Sequence, residues 1–175
     1  MKKIPLIAML MVSLFSAYGQ QNKWLTPYEK GNKNQTATYQ EAIDFYIALD
    51  NQFETIKMIE MGQTDSGEPL HLLIFNPDKD FDLNKKQSKA VLLINNNIHP
   101  GEPDGVDASM MFFRDLVLNT ITIPKNTIIA MIPFYNIGGT FNRNSFSRAN
   151  QNGPEAYGFR GNGRNYDLNR DFIKS

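Results

Sequence analysis

A histidine and a glutamate three residues apart, His99 and Glu102, stand in the stretch NNNIHPGEPDG, directly after the apolar run VLLI. Neutral imidazole and carboxylate are both good zinc ligands, and a turn can close two such residues on one ion. A second stretch, YGFRGNGRNYDLNRDF, gathers Arg160, Arg164 and Arg170 with Asn162 and Asn169. A guanidinium fork takes a carboxylate through paired hydrogen bonds, and an arginine beside a metal can hold a developing oxyanion. The same residue types also suit a solvated basic loop or a phosphate site. The only other histidine, His71, has leucines on both sides in EPLHLLIF, the setting of a surface or internally satisfied side chain. No cysteine is present, which excludes disulfides and thiolate metal sites.

The elements that must position these residues follow from periodicity. In TYQEAIDFYIALDNQF, Thr38 and Glu41 have capping-box spacing, and Ala42, Phe45, Tyr46, Leu49 and Phe53 form one apolar helical face. TIKMIEMG and EPLHLLIF, around the turn residues Asp65-Ser66-Gly67, predict a β-hairpin. AVLLINN predicts a buried strand. A helix from Asp104 follows, with Val106, Met110, Phe113 and Val117 on its apolar face, and then the strand NTIIAMIPFYN. Strand, helix, strand is the pattern of a parallel crossover. The expectation is therefore an α/β fold: a mixed, mostly parallel sheet flanked by helices, with the hairpin at one side. In such sheets ligands bind beyond the carboxyl ends of the strands, which is where VLLINNNIHPGE delivers His99 and Glu102. The segment from Thr140 onward is long and irregular, as functional loops often are.

The N-terminus reads as an export leader: basic MKK, the apolar run IPLIAMLMVSLF, then Ala17 and Gly19 at small-residue cleavage positions. Residues 20–37 read as a polar lead-in with weak structure, and residues 38–175 as one domain. The chain holds 18 basic and 18 acidic side chains. Losing Lys2 and Lys3 with the leader leaves a slight acidic excess, which does not favour nucleic acid or an anionic membrane.

Taken in order, strand, HPGE, helix, a strand ending in Asn136 and two glycines, then RGN…DLNRDF resembles the zinc metallocarboxypeptidase family over roughly residues 38–172. The resemblance implies a carboxypeptidase-like α/β sandwich, Zn2+ as cofactor and peptide or protein C-termini as partners. It implies His99 and Glu102 as two zinc ligands and Arg160 as the catalytic arginine. Asn169 and Arg170 then bind the substrate's terminal carboxylate, and Arg148, grouped with them on the substrate side, is a second candidate for the catalytic arginine. Asn-Ile-Gly-Gly stands where the family commonly has Asn-Pro-Asp-Gly, and DLNRDF where DLNRNF is frequent. The family draws a third zinc-binding histidine, a glutamate and a tyrosine from a C-terminal half that has no counterpart in these 175 residues. The expectation is a truncated domain without activity of its own. A related zinc amidohydrolase of acylated amino acids, and a non-catalytic carboxylate-binding remnant, remain as alternatives.

Overall fold

The computed structural model describes residues 23–85 and 88–170. The leader and the Asp171-Phe172 end of DLNRDF lie outside them. Helix α1 (Pro27–Lys30) precedes α2 (Tyr39–Gln52), strands β1 (Ile56–Gln63), β2 (Pro69–Phe75) and β3 (Ala90–Asn95), helix α3 (Asp104–Val117), strand β4 (Thr127–Ile132), helix α4 (Ile137–Phe141) and a 3-10 turn (Leu168–Arg170). The four strands form one mixed sheet in the order β1-β2-β4-β3. β2 runs antiparallel to both β1 and β4, while β3 and β4 are parallel, so three strands share a direction.

Helix α2 starts where the capping box requires. Thr38 Oγ1 accepts from Glu41 N at 3.3 Å, and Glu41 Oε2 accepts from Thr38 N at 2.9 Å. Its buried face, Tyr39, Ala42, Ile43, Tyr46 and Leu49, meets Val106, Met110, Phe113 and Leu116 of α3 over Leu73, Phe75, Ile129 and Met131 of the sheet. Tyr46 and Phe113 meet edge to face at 6.2 Å, a favoured aromatic geometry.

Two expectations are overturned. The lead-in is packed rather than weakly structured: Trp24, Thr26, Thr36 and Ala37 are buried, and Thr26 heads its own capping box with Glu29. β3 is an exposed outer strand rather than a buried one. It hydrogen-bonds only to β4 among the described residues, and Val91, Leu92 and Leu93 are 46%, 50% and 57% exposed. An apolar run specifies a preference for burial, but the neighbours that would cover it must come from elsewhere in the fold.

Candidate metal and substrate site

β1, β3 and β4 all end at the same edge of the sheet, so the residues after Asn95 and Ile132 emerge side by side with the β1–β2 turn. The chain leaves β3 through Asn96 and Asn97, both buried. Asn97 adopts φ 62, a left-handed conformation that asparagine tolerates better than most residues. Its Nδ2 donates to Thr140 Oγ1 at 2.6 Å, and Asn96 Nδ2 donates to Ser109 Oγ at 2.7 Å, which fixes the loop against α4 and α3. A tight turn, Glu102 N to His99 O at 2.8 Å, then brings the two side chains together. His99 Nδ1 lies 3.7 Å from Glu102 Oε1. His99 is buried and Glu102 opens to solvent.

The arginine loop is stapled to this turn through Asn136. Its Nδ2 donates to Ile98 O at 3.3 Å and to Arg160 O at 3.0 Å, and its Oδ1 accepts from Gly139 N at 2.8 Å. Gly158 N also bonds Pro100 O at 2.9 Å, and Phe159 N bonds Gly139 O at 2.8 Å. Gly139 is obligatory here, because a Cβ at that position would collide with the carbonyls of Phe159 and Gly161.

The decisive side chain is one that residue types and spacing did not single out. Asp167 Oδ1 sits 2.8 Å from His99 Nε2, and its Oδ2 accepts from Arg160 Nε at 2.7 Å. These bonds, His99 first, together with the Asn169 backbone N–H, hold the Asp167 carboxyl well below the usual carboxylate range. An ionised carboxylate only accepts, so the His99–Asp167 bond needs a proton on Nε2. The other ring nitrogen, Nδ1, faces Glu102. A metal-ligating histidine characteristically gives its other N–H to a carboxylate in this way. The available signal was the acid two residues before Asn169, within the same DLNR element.

Of the sequence candidates, the structure thus joins His99 and Arg160 through Asp167, sets Glu102 beside His99, and adds Arg148, whose Nη2 contacts Glu102 Oε1. Arg148 and Gln151 fasten their loop to Gly101 and Glu102: Arg148 Nε donates to Gln151 Oε1 at 3.3 Å, and Gln151 Nε2 to Gly101 O at 2.9 Å. Asn169 and Arg170 are exposed on the 3-10 turn beside Asp167. Among the described residues their side chains make no hydrogen bond or ion pair with the other four. His71 is elsewhere, on β2, with Nδ1 3.5 Å from Tyr39 Oη.

The donor chemistry fits a zinc ion in part. A nitrogen and a carboxylate converge, but no group of three or more His, Cys, Asp or Glu able to hold a metal occurs among the described residues. The sequence profile of the zinc carboxypeptidase family matches residues 42–175. The chain belongs to that family. No curated protein is similar enough in sequence to count as a match. Among solved structures, carboxypeptidase A from Helicoverpa armigera is similar at 19% identity and a TM-score of 0.55, over 62% of this chain and 26% of its own. A putative carboxypeptidase A from Shewanella denitrificans is similar at 17% identity and a TM-score of 0.57, over 78% of this chain and 31% of its own. A metallo-carboxypeptidase from Burkholderia cenocepacia gives 17% identity, a TM-score of 0.53, and coverage of 78% and 32%. At these identities the likeness is one of fold: the mixed sheet of this family member is that of carboxypeptidases. The chain spans about a quarter to a third of the length of those structures.

Proposed function

We propose that the complete protein is an exported zinc carboxypeptidase that removes C-terminal residues from peptides or proteins, and that residues 23–170 carry one wall of its site. The observation that carries this reading is Asp167, one carboxylate bonded to both His99 and Arg160. His99 would hold zinc through Nδ1, and Glu102 through its carboxylate. Zinc, when bound, supplies Lewis acidity toward the scissile carbonyl and the attacking water.

The remaining steps belong to side chains of this chain. Asp167 keeps the proton on His99 Nε2, so Nδ1 stays available as a ligand. It also aims Arg160 by engaging Nε alone, which leaves both Nη groups to donate to an oxyanion. Asn169 and Arg170, exposed beside it, take the substrate's terminal carboxylate, an anion suited to a guanidinium fork. Arg148 adds a second cation on the substrate side of Glu102. His99 and Glu102 are the two ligands this reading assigns among the described residues, and residues 23–170 by themselves should turn over no peptide. The basic start, the apolar run and the small residues at Ala17 and Gly19 support export. No helix among the described residues is long and apolar enough to cross a membrane.

With only two histidines, the chain allows a direct test by ring-nitrogen NMR under zinc titration. His99 should show the Nε2–H tautomer without metal and a selective Nδ1 shift on adding zinc, with His71 unmoved. Asp167→Ala should weaken zinc binding about 10–100-fold. Zinc shifting both histidines equally, or neither, would defeat the assignment.

A further inference from the structure

Arg148 and Arg160 use their donors differently. Arg160 bonds Asp167 through Nε alone. Arg148 gives Nε to Gln151 Oε1 at 3.3 Å and Nη2 to Glu102 Oε1. That oxygen is the one facing His99, 3.7 Å from Nδ1. A guanidinium committed to two acceptors inside the protein is poorly placed to form a fork around a substrate anion.

The loop carrying Arg148 fixes it in that position. Paired backbone bonds close the base of the loop, from Asn144 N to Tyr157 O at 2.8 Å and from Tyr157 N to Asn144 O at 3.0 Å. Asn144 Oδ1 accepts from the N–H groups of Phe146 and Ser147 at 3.1 and 2.7 Å, which sets the turn into Arg148. Gln151 Nε2 ties the far side to Gly101 O at 2.9 Å. The stem of Arg148 lies over Gly101, where a Cβ would stand 3.0 Å from Arg148 Cδ. Glu102, by contrast, has a 47% exposed side chain, and among the described residues no other hydrogen bond reaches its carboxylate. Without that contact its rotamers would be free.

We propose that Arg148 is a positioning residue for Glu102: its guanidinium holds the carboxylate toward His99, as Asp167 holds the His99 ring. The inference rests on the reading of His99 and Glu102 as zinc ligands. Carboxylates that ligate metals are themselves hydrogen-bonded, and losing such a partner typically costs about 10–100-fold in metal affinity. The guanidinium also repels a metal cation, but water screens that repulsion at a half-exposed site, so the fixing of the ligand dominates.

The test measures zinc affinity of the exported protein by competition with a chelating dye, and reads Glu102 side-chain rotamers by NMR couplings without metal. Arg148→Met should weaken zinc binding about 10–100-fold and average the Glu102 couplings. Arg148→Lys should recover part of the affinity, since an ammonium can still bond one carboxylate oxygen. In a Glu102→Gln background, Arg148→Met should cost little further, because the two residues act as one unit. Zinc binding by Arg148→Met that is unchanged or tighter, an equal loss in the Glu102→Gln background, or couplings that stay fixed would each overturn the inference. Zinc that shifts His99 Nδ1 equally in wild type and Arg148→Met sinks this inference and leaves the proposed function standing. Zinc that never reaches His99 in the wild type removes both.

Discussion

His71 should make stability depend on pH near neutrality. His71 is buried against Tyr39, with ring centroids 6.5 Å apart. Burial holds its pKa below the ordinary value, against a partial pull upward from Glu60 and Glu68. The unfolded chain therefore takes up a proton near pH 6.5 that the folded chain resists. This contribution is complete above that pH and is lost as pH falls toward the lower folded-state value. Urea denaturation between pH 5.5 and 7.5 should show stability rising with pH, and His71→Gln should flatten the rise. An unchanged slope in the variant would remove His71 as the cause. Tyr39, pushed up to about 12 chiefly by burial, is silent in that window. At this scale, side-chain types disclosed His99, Glu102 and the arginines, but not the group that joins them. Asp167 lies 68 residues from His99, and nothing in the local pattern of either stretch encodes their meeting.

Elements were legible wherever their signal was local. The Thr38 capping box, the apolar face of α3 and the hairpin turn each depend on residues a few positions apart and stand in the structure as read, while the α2 face turns to bury Tyr39 and Ile43 and leaves Phe45 and Phe53 half-buried. The outer position of β3 was not legible, because exposure depends on which strand lies beyond it. Helix α4 shows how a short element does positional work. Its two glycines let the arginine loop pass close over it, where Gly138 faces Gly163 and Gly139 faces the carbonyls of Phe159 and Gly161. Those contacts are backbone on the far side, so the loop itself must move to admit a side chain. Gly139→Ala should therefore cost about 1–3 kcal/mol, as overpacking of a tight contact does. It should also displace Arg160, since Asn136 holds the Arg160 carbonyl from the same turn. A lower urea midpoint together with faster amide exchange at 158–162 is the expected outcome. A wild-type midpoint would show that the loop yields without cost.

For the molecule as a whole, packed structure reaches back at least to Trp24, although the family profile begins at residue 42 and periodicity put the domain start at Thr38. Trp24 wedges between Phe45 and Phe53, each with centroids 5.9 Å away. Buried Arg114 reaches from α3 to Glu29 at 2.7 Å and to the Trp24 carbonyl at 3.4 Å. Asp107 accepts from Ala37 N at 3.1 Å, and Arg143 donates to the carbonyls of Thr36, Ala37 and Ala156. The lead-in is thus a strap joining α3 to the loop that carries Arg148 and Arg160. Its polar composition concealed this, because the strap is held by partners 70 to 107 residues away in sequence. Removing a buried tryptophan typically costs about 3–5 kcal/mol, a large share of the roughly 5–15 kcal/mol that holds an ordinary domain together. A chain beginning at Thr38 loses that packing and also takes from Arg114, Asp107 and Arg143 the partners they have in the strap. Denaturation of chains starting at Lys23 and at Thr38 should differ by at least the tryptophan's share, with Trp24→Ala in the longer chain falling between them. Equal stability of the two chains would return the boundary to Thr38 and make the strap a passive tether. A large difference would mean that the walls of the site are held together from outside the family's own matched segment.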